Sequence, residues 1–174
     1  MDFNLFVTKT RESRKTPMID DQQITLCFDP GHTTGFAVFH GTDLFESGEV
    51  RTEPIEVGVR EIERLISSYE PDIVVMEDYR VYQWKTKQHG GSELLTTRVI
   101  GCIETFCVIN FIIHIVKQPA HTAKGFCTDA KLRAWGFYKK GERHARDAIR
   151  HGCYFLLFGA IDPKQNTSKS QTVG

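Results

Sequence analysis

The chain is 174 residues long and carries 22 Lys and Arg against 22 Asp and Glu, a formal net charge of zero. With 40% hydrophobic and 25% charged residues it has the composition of an ordinary single globular domain. Zero net charge excludes a polyanion binder that acts through bulk electrostatics, so any phosphate contact must come from local asymmetry. The longest apolar runs, Ile24–Phe28 and Phe111–Val116, are strand-length and far short of the ~18 residues a membrane span requires. The N-terminal string MDFNLFVTKTRESRKT lacks the apolar stretch and small-residue cleavage site of a secretory signal. Five cysteines, an odd number without a C-x-x-C, fall in apolar or helical patterns. They are expected as reduced thiols in a cytoplasmic protein (a bacterial cell or a phage-infected host) rather than as a disulfide framework or zinc site.

Residues 1–22 are predicted as a flexible N-terminal arm in which the Lys9–Lys15 run is solvated, and 161–174 as a disordered tail. One compact region, 23–160, lies between them. It opens with ITLCFD, a buried strand ending at Asp29 before a Pro30–Gly31 turn. Gly35–His40 and Leu44–Val50, joined by Gly41-Thr42-Asp43, complete an antiparallel meander. Thr52 is a candidate cap for a helix with Pro54 in its first turn and Ile55, Val59, Ile62, Ile66 and Tyr69 on one face. Pro71–Glu77 reads as a second buried strand ending in an acid, and an aromatic, basic loop follows from Asp78 to Gly91. A helix over 92–107, a strand over Phe111–Val116 and a helical segment over 120–135, stopped by Gly136, come next. The last helix spans 142–158, with Ala145, Ala148, Ile149, Gly152, Cys153 and Leu156 facing inward. Three antiparallel strands followed by alternating helices and strands predict an α/β fold with a mixed five-stranded sheet flanked by helices.

Asp29 and Glu77 both close strands, and ligand sites of α/β sheets lie off strand C-termini. His144 and Asp147, three apart, share a helix face bordering the apolar one. Three carboxylates and a histidine suit hard divalent ions such as Mg²⁺ or Mn²⁺. Two such ions ~4 Å apart activate water and stabilise the leaving oxygen of a phosphodiester. Taken singly, each residue has a plainer reading: Asp29 as a turn former, Glu77 as an edge charge, Asp147 as the partner of Arg143, Arg150 or His151. It is the constellation that points to chemistry.

The strings F-D-P-G-H-T-T-G-F-A, V-V-M-E-D-Y and H-A-R-D-A-I-R-H, in this order over roughly residues 24–158, resemble the RuvC-type Holliday junction resolvases. The resemblance implies an RNase H-like fold in which Asp29, Glu77 and Asp147 are metal-binding carboxylates and His144 fills the fourth metal-site position. It also implies that Lys124 and Lys131 contact the scissile phosphate region, and that two Mg²⁺ ions (Mn²⁺ substituting) serve each site of a homodimer. The implied activity is that of a metal-dependent crossover junction endodeoxyribonuclease. It would cleave Holliday junctions or other branched DNA in recombination, repair or phage DNA processing, with His144 positioning or deprotonating the attacking water.

For the DNA, Tyr79, Tyr82 and Trp84 are candidates to stack on bases, with Arg80, Lys85 and Lys87 on phosphates. Arg143, Arg146 and Arg150 form a candidate basic stripe along the last helix, although a solvated face gives the same pattern. Leu94, Ile103 and Ile109 exceed what one apolar stripe needs, a hint of dimerisation. Two other readings stand beside this one: an RNase H-like nuclease acting on RNA, as in RuvX-type ribosomal RNA processing, and a non-catalytic branched-DNA-binding protein.

Overall fold

The computed structural model describes residues 2–79 and 90–160, with 90–93 as backbone only. Five strands form one sheet: β1 (Ile24–Asp29), β2 (Thr33–His40), β3 (Asp43–Arg51), β4 (Ile73–Glu77) and β5 (His114–Gln118). Their order is β3-β2-β1-β4-β5, antiparallel through β1, β2 and β3 and parallel from β1 to β4 to β5. This is the expected mixed sheet.

Strand periodicity sorts side chains between two cores. Leu26 and Phe28 of β1, Phe36 and Val38 of β2 and Val74 and Met76 of β4 face α2 (Ile55–Tyr69) and α3 (Gly90–Ile109). Cys27, Ala37, Phe39, Ile73 and Val75 alternate with them and face α6 (Arg143–Phe158) on the opposite side. Helix α6 packs close to the sheet because Gly152 has no side chain: a Cβ there would lie 2.3 Å from the Phe39 ring and 2.9 Å from Cys27 Sγ. All five cysteines are free thiols.

Several local expectations are corrected. Residues 1–22 hold not a flexible arm but helix α1 (Phe3–Arg14), capped by the Asp2 side chain. Its inward stripe is Phe3, Val7 and Arg11, exposed only 2%, 1% and 3%. Arg11 crosses to the C-terminal end of α6, donating to the carbonyls of Leu156 at 2.6 Å and Gly159 at 3.0 Å. A buried cation is stable there because it satisfies carbonyls that the helix end leaves orphaned and lies at the negative end of the dipole.

The 120–135 segment splits into α4 (Ala120–Phe126) and α5 (Asp129–Ala134), because the Thr128 side chain caps α5. Phe111 takes a left-handed conformation just after α3, so β5 begins only at His114. Thr52 caps no helix; its hydroxyl bonds the Gly31 carbonyl and pairs with Thr34 Oγ1 at 3.1 Å, bracing the turn after Asp29. Among the described residues no helix is long and apolar enough to cross a membrane.

Candidate active site

Asp29 and Glu77 end strands whose alternate residues line the α6 core, so both carboxylates emerge on the α6 face of the sheet. In register, Asp29 pairs with Gly35, and Gly35 with Glu49. On the other side Glu77 stands one residue past the Phe28–Met76 pair and is itself paired with Gln118. The strand ends therefore carry a polar row, Glu49, Gly35, Asp29, Glu77 and Gln118, with α6 lying over it.

The N-terminal part of α6 presents His144, Asp147 and His151 at positions i, i+3 and i+7, one face of the helix. Its own N-cap residue, Glu142, makes no side-chain cap bond. Instead Glu49 reaches up from β3, and its Oε1 accepts from the backbone N–H of His144 at 2.7 Å and of Ala145 at 3.4 Å. A carboxylate on these orphan amides anchors the helix end that carries the site.

Three carboxylates converge on one cation. Lys124 Nζ, from α4, lies 3.2 Å from Asp29 Oδ1, 2.9 Å from Glu77 Oε2 and 3.2 Å from Asp147 Oδ2. His144 Nδ1 approaches Asp29 Oδ2 at 2.9 Å. Arg150 holds the other Asp147 oxygen, and its guanidinium also binds Asp129 and donates to the Cys127 carbonyl at 3.0 Å.

The ionisation states follow from these contacts. Burial pushes Glu77 up, but His151 and the Lys124 ammonium together outweigh it and hold the carboxyl down at about 2. Burial disfavours the Lys124 ammonium too, yet the Asp29, Glu77 and Asp147 carboxylates overcome this and raise its pKa. The hydrogen bond to Asp29 raises His144 despite partial burial. Carboxylates this close repel unless a cation neutralises them. The ammonium is that cation here, and the same oxygens are the donors a hard divalent ion takes. The residues fit a metal site.

The structure thus brings together Asp29, Glu77, His144, Asp147 and Lys124. Lys131 makes other contacts: its Nζ donates to the Phe126 carbonyl at 2.8 Å and sits 3.3 Å over the Phe126 ring. Of the arginine stripe only Arg143 is exposed. Arg150 is engaged as described, and Arg146 donates to the Lys139 carbonyl at 2.6 Å. Tyr79 packs partly buried against the α2–α3 core. Arg80, Tyr82, Trp84, Lys85 and Lys87 lie outside the described residues.

Sequence reasoning missed Glu49, Gln118 and His151. Only His151 left a signal, being four residues beyond Asp147 on the helix face already implicated.

The architecture is the RNase H-like fold of the RuvC-type resolvases. Thermus thermophilus RuvC, solved with a Holliday junction substrate, matches with a TM-score of 0.64 at 12% identity, over 78% of this chain and 93% of that one. The yeast mitochondrial Holliday junction resolvase matches with a TM-score of 0.55 at 9% identity, over 85% of this chain and 83% of that one. The fowlpox virus Holliday junction resolvase matches with a TM-score of 0.51 at 16% identity, over 77% and 98%. The sequence matches no protein-family model and no curated protein.

Proposed function

We propose that the chain is a metal-dependent endonuclease that cleaves four-way DNA junctions. The observation that carries this reading is the convergence of Asp29, Glu77 and Asp147 on a single cationic position, at 2.9–3.2 Å, with His144 bonded to Asp29. The solved proteins that share the fold, each named as a Holliday junction resolvase or solved with a junction, support the choice of substrate.

Two Mg²⁺ or Mn²⁺ ions held by Asp29, Glu77, Asp147 and His144 would activate the attacking water and stabilise the leaving oxygen. The chain's own residues do the rest. Asp29 orients the His144 imidazole through Nδ1, so that Nε2 either holds an ion or, unligated, takes the proton of the attacking water. Arg150 fixes Asp147 in place from the side away from Lys124. Lys124, displaced from the carboxylates, offers its ammonium to the oxygens of the scissile phosphate and stabilises the charge that develops there. Cleavage in this manner leaves 5′-phosphate and 3′-hydroxyl ends.

Arg143 and Lys140, exposed beside the site, are the phosphate contacts this reading favours on α6 and the turn before it. The Tyr79–Lys87 segment following Glu77 supplies the aromatic and basic contacts to unpaired bases. We assign the active form as a homodimer, which places one site on each of two opposed strands. Apolar side chains around the end of α3 support it: Val108, Ile109 and Phe111 are 70%, 60% and 82% exposed. Ile103, by contrast, belongs to the chain's own core. Free thiols fit a reducing cytoplasm.

The test is a labelled four-way junction beside the matching linear duplex, with Mg²⁺ or EDTA, using the wild type and Asp29→Asn. Paired symmetric nicks on the junction alone, requiring metal and lost in the variant, are expected. Tight junction binding without cleavage in Mg²⁺ or Mn²⁺ would overturn the enzymatic reading, and equal cutting of duplex and junction would overturn the substrate.

A further inference from the structure

His151 is completely buried on α6, one turn beyond Asp147. Its Nδ1 lies 3.2 Å from the side-chain oxygen of Gln118, the residue paired with Glu77 across β4 and β5. An amide oxygen accepts, so Nδ1 donates to it, and in the neutral ring Nε2 is then the nitrogen left with a lone pair. Nε2 faces Glu77, 3.7 Å from Oε2, and has no hydrogen-bond partner. Without metal, a proton on Nε2 faces the Glu77 carboxylate and helps to keep it ionised; a metal ion in the same gap would take that proton's place between the two donors. Donor atoms of Asp29, Glu77 and His151 all lie within 4.8 Å of one another, a spacing one metal ion can bridge.

We propose that His151 is an inner-sphere ligand of the ion it shares with Asp29 and Glu77, with Gln118 holding the imidazole in the metal-binding tautomer. The inference rests on the metal-dependent reading above and adds to it a donor that closes the H-A-R-D-A-I-R-H string but to which the resemblance assigns no metal role. Gln118 plays the part that an outer-shell acceptor plays for most metal-bound histidines, fixing both tautomer and ring orientation. A nitrogen donor from each side of the carboxylates, His144 and His151, moves the site away from the all-oxygen set that Mg²⁺ prefers and toward first-row transition metals.

The test uses the full-length protein without DNA and Mn²⁺ as the probe. Pulsed EPR of the bound ion reads directly coordinated ¹⁴N, and continuous-wave EPR of the free ion reads affinity. In His144→Ala, where a half-exposed ring is removed, the bound Mn²⁺ should still show imidazole ¹⁴N coupling, now from His151 alone. In His151→Gln affinity should fall by about tenfold or more, the loss typical of disturbing a metal-ligand histidine. Absence of ¹⁴N coupling in His144→Ala, as for a protonated His151 that merely braces Glu77, overturns the proposal. So does unchanged Mn²⁺ affinity in a folded His151→Gln protein. Wild-type protein that binds no Mn²⁺ would overturn the metal-dependent reading itself, and with it this one.

Discussion

Gly35 lies directly beneath the backbone of His144: a Cβ on Gly35 would come within 1.9 Å of the His144 carbonyl oxygen and 2.7 Å of the Ala145 nitrogen. Gly35 is also the residue paired with Asp29. The glycine of the D-P-G-x-x-x-G string is thus needed because the first turn of α6 rests on it, which sets His144 within 2.9 Å of Asp29.

The Gly35→Ala variant is expected to push the start of α6 off the sheet. Overpacking of this kind costs ~1–3 kcal/mol and more where backbone is struck, so a clear fall in melting temperature and loss of junction cleavage should accompany it. Gly101→Ala is the control: a Cβ there meets nothing within 4 Å. In mid-helix it should leave activity intact and stabilise by about 0.5–1 kcal/mol. Thermal melts of the two variants side by side check both halves.

Lys124→Met should destabilise the protein in EDTA, since it leaves Asp29, Glu77 and Asp147 facing one another without a cation. Breaking a buried ion pair costs ~3–5 kcal/mol, and the one-third exposure of Lys124 reduces this to about 1–3 kcal/mol. Added Mg²⁺ or Mn²⁺ should raise the melting temperature of the variant more than that of the wild type, because in the wild type the ion must first displace the ammonium. Equal metal-induced shifts in the two proteins would show that lysine and metal do not compete.

Acid should loosen the metal-free protein through Glu77. Its folded pKa of about 2 lies below the ordinary carboxylate value. The contribution is therefore fully present above roughly pH 4.5, the unfolded value, and is lost as pH falls toward 2. The Glu77→Gln variant should show a flatter fall in melting temperature over that window than the wild type.

His144 titrates in the opposite sense. Asp29 raises its pKa, so the charged pair stabilises the protein fully below the unfolded value near ~6.5 and fades as pH rises through the folded one. Cleavage that needs a neutral imidazole should rise over the same range. A rate profile that is flat from pH 6 to 8, or identical in His144→Ala, would remove His144 from the proton-handling role.

Arg11→Met should leave the carbonyls of Leu156 and Gly159 without their charged donor. Removing one partner of a buried bond costs about 1–3 kcal/mol, so melting should fall while the pH and metal dependence of cleavage stay as in the wild type, since Arg11 touches no residue of the carboxylate cluster.

Period-two strands, a period-3.6 closing helix and acids at two strand ends are local patterns, and they made the sheet, α6 and the Asp29, Glu77, His144 and Asp147 set legible in the sequence. What stayed hidden is non-local. Helix α1 escaped because its inward stripe includes Arg11, which is buried only on account of carbonyls 145 and 148 positions away. Arg150 reads as one step of a basic stripe until Asp147 and Asp129 are seen around it. Glu49, Gln118 and His151 acquire meaning only once strand register aligns them with Asp29 and Glu77 and Gly35 lets the helix settle over the row. Patterning along a chain sets which face a residue occupies; pairing and packing between distant segments decide what it meets there.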